Sequence, residues 1–215
     1  MSLFAVINAD IVASRRMAGR ERHEGQLFLK SALIQLNETF AADIEAPFMI
    51  TKGDEFQGVL RTFSVVHAVM DKIEQMIYPV DLRFGVGYGQ VYRLGSDITI
   101  EMDGPAFHRA NEALKLAKKK KYSVCFQTNL TEFDDTVNTI YLLIQAIKRG
   151  WSDLNYKRYW RYKDLGTLRQ VAEKEGVSTQ AVWESLHQSG ALDVMKADQA
   201  IHRMLQHFEL NYADR

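Results

Sequence analysis

The segment from Leu82 to Tyr92 constrains the fold more than any other part of the chain, because glycine stands at every second position. In a strand, this alternation places Gly85, Gly87 and Gly89 on one face of the sheet. A face without side chains lets a helix, a backbone or a ligand approach closely. The spacing differs from the dinucleotide-binding fingerprint, whose third glycine opens a helix. We therefore predict a strand with one bare face.

Apolar patterns elsewhere predict the other elements of an α+β fold. Leu3–Ile7 is an apolar run short enough for a buried strand. The apolar runs 47–50 and 56–60 flank Gly53-Asp54, which is a strong signal for a two-residue hairpin turn. Further patterns predict helices at about 15–42, 65–77 and 105–120, and short strands at 98–100 and 122–126.

The order of these elements predicts a ferredoxin-like α/β sandwich over residues 1–130. From residue 131 onward only helical patterns remain, so we expect a small all-α domain over 131–215. Within it, Ala172 lets two helices cross closely, Gly176 takes the tight turn and Ser178 caps the second helix. This pattern is typical of a helix-turn-helix.

A helix-turn-helix places its second helix in the major groove of DNA. The predicted phosphate contacts are Lys157, Arg158, Arg161 and Arg169, and the predicted contacts of the second helix are Ser178, Thr179, Gln180 and Trp183. Such a unit can also serve only in protein contacts. The second helix contains Glu184 and no Arg or Lys up to Ser189, which weakens the prediction of DNA binding.

Composition bounds the partners and the compartment. Lys plus Arg and Asp plus Glu each number 27, so no global charge indicates nucleic acid or membrane binding. The single cysteine, Cys125, excludes an internal disulfide and is interpreted as a buried strand residue. We find no signal-peptide pattern and no run of membrane-spanning length, and we expect a cytoplasmic protein with no membrane partner.

Two acidic residues follow predicted strands at places that can meet. Asp10 comes after the first strand, and Asp54 lies in the hairpin turn. If the hairpin pairs beside the first strand, both carboxylates point at one spot, where Mg²⁺ or Mn²⁺ finds the oxygen ligands it prefers. Taken singly, each residue has a simpler explanation, a helix cap for Asp10 and a turn residue for Asp54.

Three separated blocks in this order resemble class III nucleotide cyclases. They are Ala9-Asp10-Ile11 with Ser14, Gly53–Phe56, and Arg83–Val91 followed by Gly104–Phe107. The stretch Lys52–Phe56 is also similar to GGDEF diguanylate cyclases, and the whole arrangement with its tail is similar to the SatD family of bacterial proteins. The resemblance implies a nucleotide cyclase-like sandwich, a homodimer, a nucleotide ligand and Mg²⁺ or Mn²⁺.

The resemblance also implies site residues. The metal ligands would be Asp10, Asp54 and the backbone carbonyl of Ile11. The expected nucleotide contacts are Ser14, Arg15 and Arg16 in the first loop and Lys52 and Gly53 in the hairpin. A loop that enters a helix N-terminus with guanidinium groups alongside is a good anion site, although a solvated helix start explains these arginines equally well.

Several positions depart from the cyclase pattern. His108 and Glu112 stand where cyclases carry an asparagine and an arginine that stabilise transition-state charge, and Ile50 replaces the lysine that reads the purine. Arg109 lies one turn short of the arginine position. Losing that positive charge costs orders of magnitude in rate.

Three hypotheses follow from these patterns. The first is a DNA-binding regulator whose cyclase-like sensor domain binds a nucleotide or a metal without efficient turnover. The second is an active nucleotide cyclase or related enzyme. The third is a dimerisation scaffold that carries a protein-interaction helix-turn-helix. The run Lys118–Lys121 leaves a related choice open, between cations that stabilise a helix C-terminus and contacts to phosphate.

Overall fold

The computed structural model describes residues 3–12, 19–93 and 98–212 and shows an α+β architecture. The strands are β1 (Leu3–Ile11), β2 (Ile44–Lys52), β3 (Glu55–Leu60), β4 (Leu82–Gln90), β5 (Tyr92–Arg93), β6 (Met102–Asp103) and β7 (Val124–Gln127). The helices are α1 (Gly19–Thr39), α2 (Val66–Ile77), α3 (Pro105–Lys120), α4 (Thr131–Lys148), α5 (Asp153–Leu165), α6 (Leu168–Glu175), α7 (Thr179–Gln188) and α8 (Ala191–Tyr212).

Five strands form the main sheet in the order β2-β3-β1-β4-β7. All neighbours are antiparallel except β4 and β7, which are parallel. The predicted order of elements is confirmed, because β1, α1, β2, β3, α2 and β4 form a ferredoxin-like core to which α3 and β7 are added. One local prediction is wrong: residues 98–100 do not form a strand. A 3₁₀ turn covers Thr99–Glu101, where the N–H of Glu101 donates to the carbonyl of Ile98.

The bare face of β4 is occupied by the backbone of α3. A Cβ atom added to Gly85 would lie 2.3 Å from the nitrogen of Leu114, and one added to Gly87 would lie 2.2 Å from the carbonyl oxygen of Ala106. Real Cβ atoms essentially never approach a heavy atom this closely. The predicted bare face is therefore confirmed, and a helix is what approaches it.

On each outer strand of the sheet, an asparagine from a neighbouring helix forms hydrogen bonds with the backbone of one residue. Asn37 of α1 accepts from the N–H of Phe48 in β2 (2.8 Å) and donates to its carbonyl (3.0 Å). Asn138 of α4 makes the same pair of bonds to Phe126 in β7, at 2.6 and 3.0 Å. Unpaired edge groups are a template for aggregation, so each side-chain amide takes the place of a missing strand.

Cys125 is buried in β7. Burial, and then the negative charge of Asp134, raises the pKa of its thiol to about 11. The reactive thiolate is therefore scarce at neutral pH. The interpretation of Cys125 as a buried strand residue is confirmed.

The chain divides into two compact units, one formed by Met1–Tyr141 with Ile201–Arg215 and one formed by Leu142–Ala200. Helices α4 and α8 each contribute residues to both units. The predicted domain boundary at residue 130 stays a prediction, because contacts do not report which segments fold independently. Among the described residues, no helix combines the length and the apolar character needed to cross a bilayer.

The end of α8 belongs to the core of the first unit. Phe208 is buried in an aromatic cluster, with ring centroids 5.1 Å from Phe63, 5.4 Å from Tyr88 and 4.4 Å from Phe133. The next residue is fixed as well, because the N–H of Phe63 donates to the carboxylate of Glu209 at 2.6 Å. The last helix thus returns to the sheet-bearing unit, which its apolar stripe did not predict.

We expect Asn138→Ala to destabilise the protein by about 1–3 kcal/mol, because it leaves the N–H and the carbonyl of Phe126 without partners. At this chain length, each 1 kcal/mol lowers the melting midpoint by roughly 2–4 °C. Thr139→Ala is the matched control, because Thr139 is exposed and its hydroxyl donates only to the carbonyl of Asp135 in its own helix. Equal midpoints for the two variants would show that Asn138 does not protect the edge.

Candidate functional site

Asp10 lies near the end of β1 and is flanked by charged residues on both neighbouring strands. It stands opposite Glu55 of β3 and opposite Arg83 of β4. Residues directly opposite one another in antiparallel strands point to the same face of the sheet. Asp10 is only 8% exposed. The sheet therefore gathers two carboxylates and a guanidinium on one face, where Asp10 is buried and the side chain of Glu55 is 43% exposed.

A lysine from α3 completes this cluster. The ammonium of Lys118 lies 3.3 Å from Oδ2 of Asp10 and 2.7 Å from Oε1 of Glu55. Nη1 of Arg83 lies 3.5 Å from each carboxylate oxygen of Asp10. We call Asp10, Asp54, Glu55, Arg83 and Lys118 the acidic cluster.

The environment shifts the pKa values of both partners of the Lys118 ion pair. Burial raises the pKa of Asp10, against the opposing charges of Lys118 and then Arg83, and the charge of Asp54 raises it further. For Lys118, burial lowers the pKa, but the hydrogen bond to Glu55 and the charge of Asp10 outweigh it, so the pKa is raised. Lys118 therefore keeps its proton more strongly than an ordinary lysine, whereas ionisation of Asp10 is less favourable than that of an ordinary aspartate.

The β2–β3 hairpin brings Asp54 to the same cluster. Gly53 adopts a positive φ of 65°, and its carbonyl accepts from Nε2 of Gln26 in α1 at 2.8 Å. The predicted turn is confirmed. Asp54 is near enough for its charge to act on Asp10, but Glu55 is the carboxylate that shares a cation with Asp10. Sequence reasoning named Asp54 and missed Glu55.

Within the described part of the chain, two buried polar atoms in or next to the cluster, on Arg83 and Asn8, have no hydrogen-bond partner. Asn8 precedes Asp10 by two residues and therefore lies on the same face, and it is 5% exposed. Its Nδ2 donates to Oδ1 of Asn111 at 2.7 Å, while its own Oδ1 has no partner. Nε of Arg83 is also buried without a partner. Such groups in a folded protein call for a water, an ion or a ligand.

Of the other predicted metal and nucleotide site residues, the structure describes Ile11, Lys52 and Gly53. Ser14, Arg15 and Arg16 lie outside the described residues. Ile11 is buried in β1 opposite Leu82, and Lys52 is exposed at the end of β2.

Among the described residues, His108 and Arg109 contact groups outside the acidic cluster. Nε2 of His108 lies 3.3 Å from Oδ1 of Asp103, and both side chains are largely exposed. Glu112 is exposed as well. Nη1 of Arg109 donates to the carbonyl of Tyr88 at 2.5 Å, so its guanidinium is committed to the backbone of β4.

Lys118 and Arg83 are functional candidates that sequence reasoning missed. Lys118 belongs to a run of lysines at a helix end, and nothing in the run itself distinguishes Lys118 as a residue that contacts the sheet. Arg83 stands out in the sequence only as part of a strand motif. Strand register finds Arg83, since it stands opposite Asp10 and shares its face of the sheet. Lys118 lies on α3, and only the packing of that helix on the sheet brings it to Asp10.

The carboxylates of the acidic cluster have the chemistry that suits a divalent cation, but the described residues alone do not form a complete set of ligands. Asp10, Asp54 and Glu55 offer the hard carboxylate oxygens that Mg²⁺ and Mn²⁺ prefer. The ammonium of Lys118 already bridges two of these carboxylates, as a stand-in cation would. Within the described ranges, no group of three or more His, Cys, Asp or Glu side chains is arranged to hold a metal. An ion here therefore needs additional oxygens, such as those of phosphate or water.

The predicted turn and cap between α6 and α7 are confirmed. Gly176 ends α6 with a φ of 67°, and the hydroxyl of Ser178 accepts from the N–H of Ala181 at the start of α7. Val182 and Leu186 are buried on the inner side of α7. Sequence alone thus located the turn and the cap, because both depend on neighbouring residues.

The residues predicted to contact DNA phosphates differ in their exposure and in the partners that they already have. Arg158 is buried, and its Nε donates to Glu175 at 2.7 Å, while Nη1 of Arg161 donates to the same carboxylate at 2.6 Å. Arg169 is exposed and pairs with Glu173, and Lys157 is exposed. Three of the four predicted phosphate contacts therefore already have a carboxylate partner within their own unit, and one of these three, Arg158, is also buried.

The exposed side of α7 is polar and aromatic. Thr179, Gln180 and Trp183 are exposed, as predicted for residues that meet a partner. Nε2 of Gln180 donates to Glu184 at 2.8 Å, and the ring of Trp183 stacks on His187 with a centroid distance of 4.8 Å.

The chain matches one protein family and is similar in structure to several solved proteins. A model of the SatD family matches residues 3–205. No curated protein matches the chain in sequence. The chain is similar to a bacterial light-regulated adenylyl cyclase, at 14% identity and a TM-score of 0.41 over 58% of this chain and 75% of that one.

Two further solved structures show the same degree of likeness. One is the dimeric guanylyl cyclase domain of the RhoGC fusion protein from the aquatic fungus Blastocladiella emersonii, with 14% identity, a TM-score of 0.41, and coverage of 54% and 74%. The other is the adenylyl cyclase CyaB from P. aeruginosa, with 10% identity, a TM-score of 0.41, and coverage of 54% and 72%. Because identities and TM-scores are this low, activity is inferred only from this chain's own residues.

We expect Asp10→Asn to raise the melting midpoint of the ligand-free protein at pH 7, because burial of the carboxylate outweighs its attraction to Lys118 and Arg83. The folded protein holds this proton more tightly than the unfolded chain, whose pKa is near 3.8. Stability from this group is therefore present at low pH and is lost as pH rises through the raised pKa.

The difference between variant and wild type should be small at about pH 4 and should grow toward pH 7. Thermal melts across this range measure it. Asp81→Asn, at an exposed carboxylate, is the control that should show no such trend. A lower midpoint for Asp10→Asn at pH 7 would mean that its ion pairs outweigh its burial.

Proposed function

The chain belongs to the SatD family, and on that premise we propose that its sheet-bearing unit binds a nucleotide polyphosphate together with a divalent cation. The observation that carries this proposal is the convergence of Asp10, Glu55 and Lys118 beside two buried polar atoms without partners, on Asn8 and Arg83. A site that mixes carboxylates with cations and unsatisfied polar groups suits a ligand that is itself a metal–phosphate complex.

The roles of the residues follow from their chemistry. The carboxylates of Asp10 and Asp54, with the backbone carbonyl of Ile11, would hold the cation, and the carboxylate of Glu55, which shares Lys118 with Asp10, would be a further ligand. A bound Mg²⁺ or Mn²⁺ would link these anions to phosphate oxygens and neutralise charge on both. The hairpin residues Lys52 and Gly53 would lie beside the phosphates.

Residues of the first loop are proposed as further phosphate contacts. Ser14, Arg15 and Arg16 lead toward α1, and a loop that enters a helix N-terminus favours anions. These three residues lie outside the described part of the chain, so the proposal for them rests on sequence.

We further propose that binding proceeds without efficient turnover. Arg109 is bonded to the carbonyl of Tyr88, His108 is paired with Asp103, and Glu112 carries the wrong charge for a phosphate. Preorganised positive charge supplies much of the stabilisation of a phosphoryl-type transition state, and these positions do not provide it. A sensor that responds to a nucleotide is therefore favoured over an active cyclase.

Calorimetry with ATP or GTP should show that nucleotide and Mg²⁺ bind cooperatively, because the metal ion links the carboxylates to the phosphate oxygens, which complete its ligand shell. Asp10→Asn and Asp54→Asn should each abolish the metal-dependent part, while the exposed control Asp81→Asn should bind as wild type does. At 100 times the dissociation constant, the ligand should stabilise the wild type by about 2.7 kcal/mol. Unchanged binding in both site variants would refute the assignment.

Incubation of the wild type with ATP or GTP and Mn²⁺ tests the absence of turnover. We expect no appreciable cyclic nucleotide, because His108 and Glu112 leave the transition-state charge without its usual partners. Robust product formation that is lost in Asp54→Asn would make the protein an enzyme.

A second proposal concerns the α6–α7 pair, which we propose is a helix-turn-helix that binds DNA and makes the protein a nucleotide-responsive regulator. The supporting observation is the exposed row Thr179, Gln180 and Trp183 on a helix that starts at a well-formed cap. The cations that remain on exposed side chains are Lys157 and Arg169.

Binding of duplex DNA at increasing salt tests this second proposal. Lys157→Ala and Arg169→Ala should each weaken binding to all sequences and reduce the salt slope by about one unit. Gln180→Ala should instead relax base preference, by about 1–3 kcal/mol for a bidentate contact. If neither specific nor salt-sensitive bulk binding is found, the α6–α7 pair is a protein-interaction unit.

A further inference from the structure

We propose that Lys118 is a built-in counter-cation that competes with a divalent metal ion for Asp10 and Glu55. A metal ion alone then binds weakly, whereas a metal ion that arrives with a polyphosphate binds well. This inference rests on the proposed metal–nucleotide site, and it adds a residue and a regulatory property that the site's carboxylates alone do not give it.

The first step is geometric. One ammonium group contacts two carboxylates from two neighbouring strands, at 3.3 Å for Asp10 and 2.7 Å for Glu55. Bridging of carboxylates is what a divalent ion in this cluster would do. The ammonium and the ion would therefore occupy overlapping positions.

The second step is the balance of charge. Asp10, Asp54 and Glu55 carry three negative charges, while Arg83 and Lys118 carry two positive charges. With Lys118 in place, the cluster has one net negative charge, which does not neutralise the two positive charges of a divalent ion. With Lys118 withdrawn, it has two, which one divalent ion neutralises. Electrostatics therefore favours the metal ion in place of the ammonium over both cations together.

The third step is the freedom of Lys118 to leave. Its side chain is 36% exposed and extends from the last turn of α3 on a flexible stem. One turn earlier on the same helix stand Leu114 and Lys115, and neither is an anion. A displaced Lys118 thus has no acidic partner on the preceding turn of α3, but the oxygens of a bound polyphosphate would supply one.

The unpaired oxygen of Asn8 is a second observation, besides the ion pairs of Lys118, that supports a ligand at this place. Asn8 is only 5% exposed on the same face as Asp10, and its Oδ1 lacks a partner. Lys118 satisfies carboxylates but leaves this oxygen unpaired. A hydrated metal–phosphate group carries water molecules that can donate to it.

The test measures the binding of Mn²⁺ to the full chain in the absence of nucleotide. Electron paramagnetic resonance of the free ion monitors the titration. Lys118→Met should tighten Mn²⁺ binding by about tenfold, within the range usual for coupled sites. Lys119→Met, a neighbouring exposed lysine, should match wild type. Lys118→Arg keeps the charge and should also stay close to wild type, and circular dichroism confirms that each variant is folded.

The same titration is then repeated with ATP present. In wild type, ATP should strengthen Mn²⁺ binding strongly, because the phosphates both ligate the ion and receive Lys118. In Lys118→Met this enhancement should shrink by about the factor that the variant gained with Mn²⁺ alone. An enhancement that is the same in both proteins would overturn the competition.

The outcomes separate this inference from the proposal on which it rests. If wild type and Lys118→Met bind Mn²⁺ alone equally, and Asp10→Asn abolishes binding in both backgrounds, the competition is refuted while the metal site stands. If no variant binds Mn²⁺ with or without ATP, the metal–nucleotide site itself is refuted, and the competition with it.

Discussion

The contact on which the rest of the structure depends is the direct packing of the α3 backbone on the glycine face of β4. Hypothetical Cβ atoms on Gly85 and Gly87 would lie within 2.3 Å of helix backbone atoms, so any larger residue would push the helix away. Helix backbones rarely approach a sheet this closely, because side chains normally intervene. The closeness fixes the height of α3 above the sheet and, with it, the reach of Lys118 toward Asp10.

Side chains from neighbouring helices protect the margins of the sheet. The ferredoxin-like order leaves β2 and β7 as edges. Asn37 and Asn138 satisfy both backbone groups of one residue on each edge, and the aromatic cluster around Phe208 fastens the last helix to the same unit. These contacts make the sheet a rigid platform, which a site built from residues on three strands and one helix requires.

The acidic cluster differs from a simple metal site because it contains its own cations. Burial makes the Asp10 carboxylate costly, and Arg83 and Lys118 only partly offset that cost. Sites that bind charged ligands often retain such unfavourable groups, since the ligand removes the penalty when it binds. Arg158 shows the opposite case, a buried cation that donates to Glu175 and to the carbonyl of Ala181, so its pairing serves the fold of the helical unit.

Local sequence determined the hairpin at Gly53, the caps at Gly176 and Ser178 and the bare face of β4, because each depends on residues a few positions apart. It also placed Asp10 at a strand end and Asp54 in a turn. Only the tertiary structure decided that Lys118 meets Asp10 and Glu55, that Arg109 turns to a backbone carbonyl, and that Glu175 takes up Arg158 and Arg161. Those pairings join residues far apart in the chain, and they depend on strand register and on how each helix lies across its neighbours, which no local periodicity encodes.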